Sequence, residues 1–227
     1  MNFRSAITHC GSLLRGDERA WRHVPYLLKM RLRGIDLRWT SLEDTDLSEE
    51  HCYRYSDSGG PDLEELLDTL TISQSDSVLD LGCGKGGALI SLAKYPFARV
   101  DGVEISPELA QIAKANMRRL HISRTRIFCG DAAAFTALDE YTFFYMYNPF
   151  PQCVTRSVMQ NIEASLRRRA RRAILIYKNA AFHESVLNAG FRKVRETLQT
   201  HPDYPPFFIY AADGPAQTST SKWAASG

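Results

Sequence analysis

From residue 61 to residue 211 the chain switches between short, nearly unbroken apolar runs and longer segments whose apolar positions recur three and four residues apart. "PDLEELLDTLTI" is of the second kind. Pro61 sits at a helix start, acids fill the first turn, and Leu63, Leu66, Leu67 and Leu70 share one face. "SVLDLG" is of the first kind, a short buried strand, and it is followed by the helical "ALISLAKY". The alternation continues with strand "ARVDGVEIS", helix "PELAQIAKANMRRL" and strands "RIFCGDA" and "YTFFYMYNP". Helix "CVTRSVMQNIEASLRRR" and strand "AILIYKN" come next, then a short helix "AFHESVLNAG" that ends at Gly190, a suitable C-cap. Two strands, "RKVRETLQT" and "PPFFIYAA", finish the series. Strands separated by helices predict parallel βαβ units and a doubly wound α/β sheet with helices on both faces. The final pair has no helix between its strands, so at least one of them must run antiparallel.

This rhythm is lacking on both sides. Residues 1–60 are polar and Arg-rich with interspersed aromatics, and are read as a helical or irregular N-terminal extension. Residues 212–227, "ADGPAQTSTSKWAASG", are small and polar and are read as a disordered tail. Within 227 residues there is room for one sizeable domain and such appendages, at 44% hydrophobic and 24% charged residues. A net charge of +2 gives no general reason to expect nucleic acid or an anionic membrane as partner. Five scattered cysteines without a C-x-x-C, and no run resembling a signal peptide or membrane span, predict a reduced, soluble, cytoplasmic chain.

Chemistry concentrates after the first strand. Gly82, Gly84 and Gly87 spell G-x-G-x-x-G, a dinucleotide fingerprint, while Asp80, Gly82, Gly84 and Gly86 spell D-x-G-x-G-x-G. Both spellings use glycine to let backbone approach a ligand. Asp80 is more discriminating. A pyrophosphate has no use for a carboxylate at a strand end, whereas a ligand carrying ammonium and sulfonium charges has one. The alternative role for Asp80 is to brace the loop through backbone N–H groups. Glu104 ends the second strand, 22 positions after Gly82, where a carboxylate can accept from two vicinal ribose hydroxyls.

"VLDLGCGKGG", "VDGVEISPELAQIAKANM", "IFCGDAAAF" and "YMYNPFP" together resemble the successive ligand motifs of class I S-adenosylmethionine-dependent methyltransferases. The resemblance covers roughly residues 61–211. It implies a Rossmann-like, mostly parallel seven-stranded sheet with an antiparallel last strand, and S-adenosyl-L-methionine as cofactor. It further implies that Asp80, Gly82, Cys83 and Gly84 line the methionine and ribose side. Glu104 would hold the ribose hydroxyls, Ile105 would pack on the adenine, and Asp131 with Ala132 would meet its amino group. Asn148 would face the methyl group and is the catalytic candidate. Lys85 departs from the pattern and is read as a solvent-facing loop lysine, and Gly87 as a site of close helix–strand packing.

The methyl acceptor is less constrained. "YNPF" partly resembles the N-P-P-[YF] motif of amino-directed methyltransferases, but Asn148-Pro149 would equally form the turn after the fourth strand. Tyr53, Tyr55, Tyr147 and Phe150 offer aromatic surface to a substrate or a sulfonium, Tyr147 foremost by its place at a strand end. Residues 1–60 are read as a substrate lid, with "YRYSDSGG" reaching the active site. A small molecule or a protein side chain, methylated at nitrogen or oxygen, is favoured as acceptor over nucleic acid. The Arg-rich N-terminal zone keeps nucleic acid in view, whereas "RRRARR" (167–172) is read as the solvated C-terminal end of a helix, where cations suit the dipole. His9-Cys10 and His51-Cys52 have poor spacing for zinc, so no metal is expected. The alternatives are a nicotinamide-dependent oxidoreductase, or a non-catalytic binding protein on a methyltransferase fold.

Overall fold

The computed structural model describes residues 18–38, 57–199 and 205–214. Within them the chain runs α1 (Glu18–Leu32), α2 (Pro61–Leu67), β1 (Ser77–Leu81), α3 (Gly87–Leu92), β2 (Arg99–Glu104), α4 (Pro107–Arg119) and β3 (Ile127–Cys129). It continues through β4 (Phe143–Tyr147), α5 (Gln152–Arg168), β5 (Arg172–Lys178), α6 (His183–Asn188), β6 (Arg192–Glu196) and β7 (Phe207–Asp213). The strands form one seven-stranded sheet in the order β3-β2-β1-β4-β5-β7-β6. Strands β1 to β5 run parallel to one another, and β7 is antiparallel to both β5 and β6.

Period-2 alternation sorts the strand side chains onto two covered faces. Val78, Phe143, Tyr145 and Ile176 join one apolar cluster with α1, α2 and α3 residues such as Tyr26, Met30, Leu63, Leu67 and Leu89. Leu79, Leu81, Phe144, Met146, Leu175 and Tyr177 join the other, against Val158, Met159, Ile162 and Leu166 of α5 and Val186 of α6. Cover on both faces explains why β1 is buried at every position. The edge strand β6 is exposed throughout and carries Arg192, Lys193 and Arg195 with a register irregularity, features that discourage pairing with another chain.

The predicted elements are all present, with adjusted bounds. Gly190 lies in the left-handed region at φ 81°, just past the end of α6. β3 has only three residues, as suits a partly exposed edge. Residues 1–60 showed no regular rhythm in sequence, yet α1 forms there. Pro25 lies within it, and it buries Tyr26 and Met30 against the first cluster. The expected tail beyond residue 214 lies outside the described residues.

Connectivity fixes where a ligand can bind. From β1 the chain steps outward to β2 and β3, then returns to the other side of β1 as β4. The helical connections diverge there and leave a crevice at the carboxyl ends of β1 and β4.

Candidate functional site at the carboxyl ends of β1, β2 and β4

The turn from β1 into α3 holds glycines 82, 84 and 86 at φ of 83°, 52° and 83°, conformations that side-chain-bearing residues avoid. Gly82 N and Cys83 N both donate to Val103 O, at 2.9 and 3.0 Å, and Gly86 N donates to Cys83 O. The turn is therefore built against β2. Gly82 is also close-packed, since a Cβ there would lie 2.5 Å from Pro149 Cβ.

Glu104 completes that bracing. Its Oε2 accepts from Gly84 N at 2.8 Å and its Oε1 from Ser106 N at 2.9 Å. Burial nonetheless outweighs these backbone donors and raises its pKa. Asp80 is only 2% exposed, and among the described residues no group donates a hydrogen bond to it. Burial, reinforced by repulsion from Glu104, pushes its carboxyl well above the usual range. The loop brace considered for Asp80 is thus supplied by Glu104 and Val103. What remains at Asp80 is a buried carboxyl beside a second one, and a cationic ligand is what would favour its charged form there.

The other positions expected to face a cofactor follow in order. Cys83 turns its side chain inward, so that a Cβ on Gly102 would lie 2.6 Å from its Sγ. Burial, then Asp80 and Glu104, push its thiol up, which leaves only its backbone to face a ligand. Ile105 is half-buried just past β2. Asp131 is exposed, with Oδ1 accepting from Ala133 N at 2.8 Å, and Ala132 beside it is buried. Gly130 N donates to Glu104 O, which draws this turn onto the end of β2.

On the β4 side, Asn148 is left-handed at φ 37° and its Oδ1 accepts from Tyr177 OH at 3.3 Å. A non-glycine residue held in that region stores backbone strain, a recurrent trait of functional turns. Tyr147 is half-buried at the end of β4. Phe150 is 5% exposed and packs in the second apolar cluster, close to Gly82. Tyr53 and Tyr55 lie outside the described residues, as do His9, Cys10, His51 and Cys52.

Two expectations are overturned. Lys85 is not solvent-facing. It is 4% exposed and donates from Nζ to Arg38 O at 2.8 Å, with Asp36 Oδ1 at 3.4 Å. Gly87 is not explained by helix–strand contact. A Cβ there would lie 1.7 Å from Asp57 Oδ1, and a Cβ on Gly59 would lie 2.2 Å from Gly87 O. The missing side chain admits residues 57–60, the described end of "YRYSDSGG", against the first turn of α3.

Sequence reasoning missed Asp57 and Lys178. The Asp57 carboxyl is raised by burial, opposed by the Gly59 N–H and by the charges of Lys178 and His23. Lys178, the last residue of β5, places Nζ 4.8 Å from the Tyr147 ring centroid and 5.1 Å from that of Phe207. Tyr145 is wholly buried, and Asp80, Tyr147 and Asp57 all add to the burial that raises its pKa. Its hydroxyl donates a long hydrogen bond, 3.4 Å, to Ser58 O. The available signal was position alone: Lys178 occupies the same strand-end level in β5 as Tyr147 does in β4.

Comparison with known proteins fits this geometry. Residues 78–171 match the family described as "Methyltransferase domain". The chain is 38% identical over 66 residues to the 23S rRNA (uracil(1939)-C(5))-methyltransferase RlmD of Aliivibrio fischeri, covering 29% of this chain and 15% of that protein. It is 36% identical over 74 residues to the release factor glutamine methyltransferase of Moorella thermoacetica, covering 32% of this chain and 26% of that protein. The chain thus spans about a quarter or less of the length of these relatives. Among solved structures, a mutant of MtNAS in complex with S-adenosylmethionine superposes with TM-score 0.54 at 19% identity, over 67% of this chain and 60% of that one. That likeness is one of fold. Sheet order, the crevice beside β1 and the match of residues 78–171 to a methyltransferase domain all agree with the fold of class I S-adenosylmethionine-dependent methyltransferases.

Proposed function

We propose that the chain transfers the methyl group of S-adenosyl-L-methionine, by in-line displacement, to a nitrogen or oxygen nucleophile on a small molecule or protein side chain. The observation that carries this reading is the pair of buried carboxylates, Asp80 and Glu104, at the ends of adjacent strands. Asp80 receives the cationic methionine end. Glu104 keeps lone pairs beyond those used by Gly84 and Ser106, and these accept from the ribose hydroxyls. Ile105, Ala132 and Asp131 surround the adenine, and the backbone of Gly82, Cys83 and Gly84 forms the floor.

The bound cofactor supplies a methyl group already activated by its sulfonium, so the chain's task is alignment and exclusion of water. Asn148 holds the acceptor in line, its amide oriented by Tyr177. Tyr147 and the charges of Lys178 and Asp57 border the acceptor side. The N-terminal extension, whose residues 57–60 abut α3, governs which acceptor enters. The relatives' names cover a nucleobase carbon and a protein glutamine, so they agree on methyl transfer and differ on the acceptor. The partial N-P-F motif favours an amino or amide nitrogen over carbon. No described helix is long and apolar enough to cross a membrane, which suits an acceptor met in water.

A dinucleotide reading fits poorly. Its pyrophosphate would have to sit at the start of α3, where the Asp57 carboxylate lies against Gly87. A thermal-shift titration separates the two readings. S-adenosylhomocysteine raises the melting temperature and NAD leaves it unchanged. Stabilisation by NAD alone would overturn the proposal.

A further inference from the structure

We propose that Lys85 is a positioning residue: its ammonium ties the glycine loop to residues 36–38, so that a ligand ordering the loop also fixes that segment. The inference rests on the cofactor reading above and extends it to how the extension is held.

An ammonium removed this far from water needs compensation by hydrogen bonds and opposite charge. Lys85 finds both in a single short stretch, the Arg38 carbonyl and the Asp36 carboxylate. Asn116 of α4 completes the joint from the opposite side. Its Nδ2 donates to Asp36 O and to Lys85 O, both at 2.9 Å, and its Oδ1 accepts from Asp36 N at 3.1 Å. Asn116 is itself fully buried, so this amide bridges two backbone segments 49 positions apart in sequence, at 36 and 85, with its hydrogen bonds satisfied by them. Burial pushes the Asp36 carboxyl up, but hydrogen bonds from Arg38 and the charges of Lys85 and Arg38 outweigh it and hold it ionised.

The position of Lys85 gives the joint its significance. It lies between Gly84, whose N–H is held by Glu104, and Gly86, both left-handed. Two residues on, Gly87 meets Asp57. One five-residue turn, 83–87, therefore contacts the N-terminal part of the chain at Asp36 and Arg38 and again at residues 57–59. Any ligand that narrows the conformations of Gly82–Gly84 reduces the freedom of Lys85 and, through it, that of residues 36–38.

Hydrogen exchange on the full chain tests this, with S-adenosylhomocysteine as probe and wild type, K85M and K85R compared. In wild type the ligand slows exchange at Gly84, Ser106 and the amides of 36–38, the last by about tenfold. In K85M the slowing persists at Gly84 and Ser106 but vanishes at 36–38, and Kd for the ligand weakens by about fivefold. K85R, which can still donate to the Arg38 carbonyl, restores the wild-type pattern. Slowing at Gly84 without slowing at 36–38 in wild type would overturn the inference, as would an unchanged pattern in K85M. Should K85M not fold, the wild-type comparison still decides. Absence of slowing anywhere in the loop would instead overturn the cofactor reading, and the coupling with it.

Discussion

The two halves of the crevice are constructed on different principles. The half between β1 and β2 is made of backbone and carboxylate, with Val103 and Glu104 holding the loop's N–H groups and Asp80 left with unused acceptors. The half between β4 and β5 is made of aromatic rings around a mostly buried cation, with Lys178 over Tyr147 and Phe207 and Asp57 contributed from upstream. In the first half, contacts link motifs that are neighbours on adjacent strands. In the second, the residues are drawn from positions 57, 147, 178 and 207 and meet only through the fold. A half that must recognise one fixed cofactor can be coded compactly. On the proposed reading, the half that recognises a particular acceptor is assembled from wherever the chain passes.

Removing Asp80 should break this contrast most severely. Asp80→Asn keeps the shape and deletes the anion, and Kd for S-adenosylmethionine should weaken by about 100-fold, as for a lost charge-assisted contact. The ligand-free protein should become more stable, since a buried, repelled carboxylate is relieved. The pH dependence has the same origin. Raised carboxyl pKa values in the fold mean that Asp80 and Glu104 bind protons more readily folded than unfolded, so their contribution favours the folded state at lower pH and opposes it as pH rises through the folded values. Cofactor binding runs the other way, because a cation needs the ionised forms. Calorimetry on wild type across mild acid to pH 8 should show affinity increasing with pH, and Asp80→Asn should flatten that slope. A slope unchanged in the variant would assign it elsewhere.

Gly87→Ala tests whether the extension really meets the loop. The added Cβ would collide with the Asp57 carboxylate, and unfolding free energy should fall by about 1–3 kcal/mol. Pairing it with Asp57→Ala should recover part of that loss in a denaturation experiment. No recovery would mean that the methyl group offends another neighbour. The smallest effect is expected from Lys178→Met. Kd for S-adenosylmethionine should stay within about twofold while KM for the acceptor, once identified, rises several-fold. A change confined to the cofactor would erase the division between the two halves.

Much of the fold was legible because burial on both sheet faces writes itself as apolar runs, and β1, β4 and β5 are such runs. The strand ends could be read for the same reason, which is how Asp80 and Glu104 stood out, while Asp131 and Asn148 were marked by the resemblance of their motifs. Lys85 was misread because a lysine between glycines is most often solvated, and its partners lie 47 and 49 positions upstream. Gly87 was misread because only the path of residues 57–60 shows what its missing Cβ makes room for. α1 was obscured by Pro25 and by a mostly polar surface, and its helicity depends on packing Tyr26 and Met30.

The antiparallel course of β7 has one further effect. Parallel strands bring their last residues to the crevice, but β7 brings its first, so Phe207 pairs with Lys178 at that rim. The connection from β6 is tied off at its base, where Thr197 N donates to Phe207 O and Phe207 N to Thr197 Oγ1. A hairpin cinched in this way can change length beyond the knot without shifting the sheet's register. On the proposed reading, in which Lys178 and Tyr147 border the acceptor, length changes next to this rim could retune acceptor choice over evolutionary time, or in a designed library, while the cofactor half stays untouched.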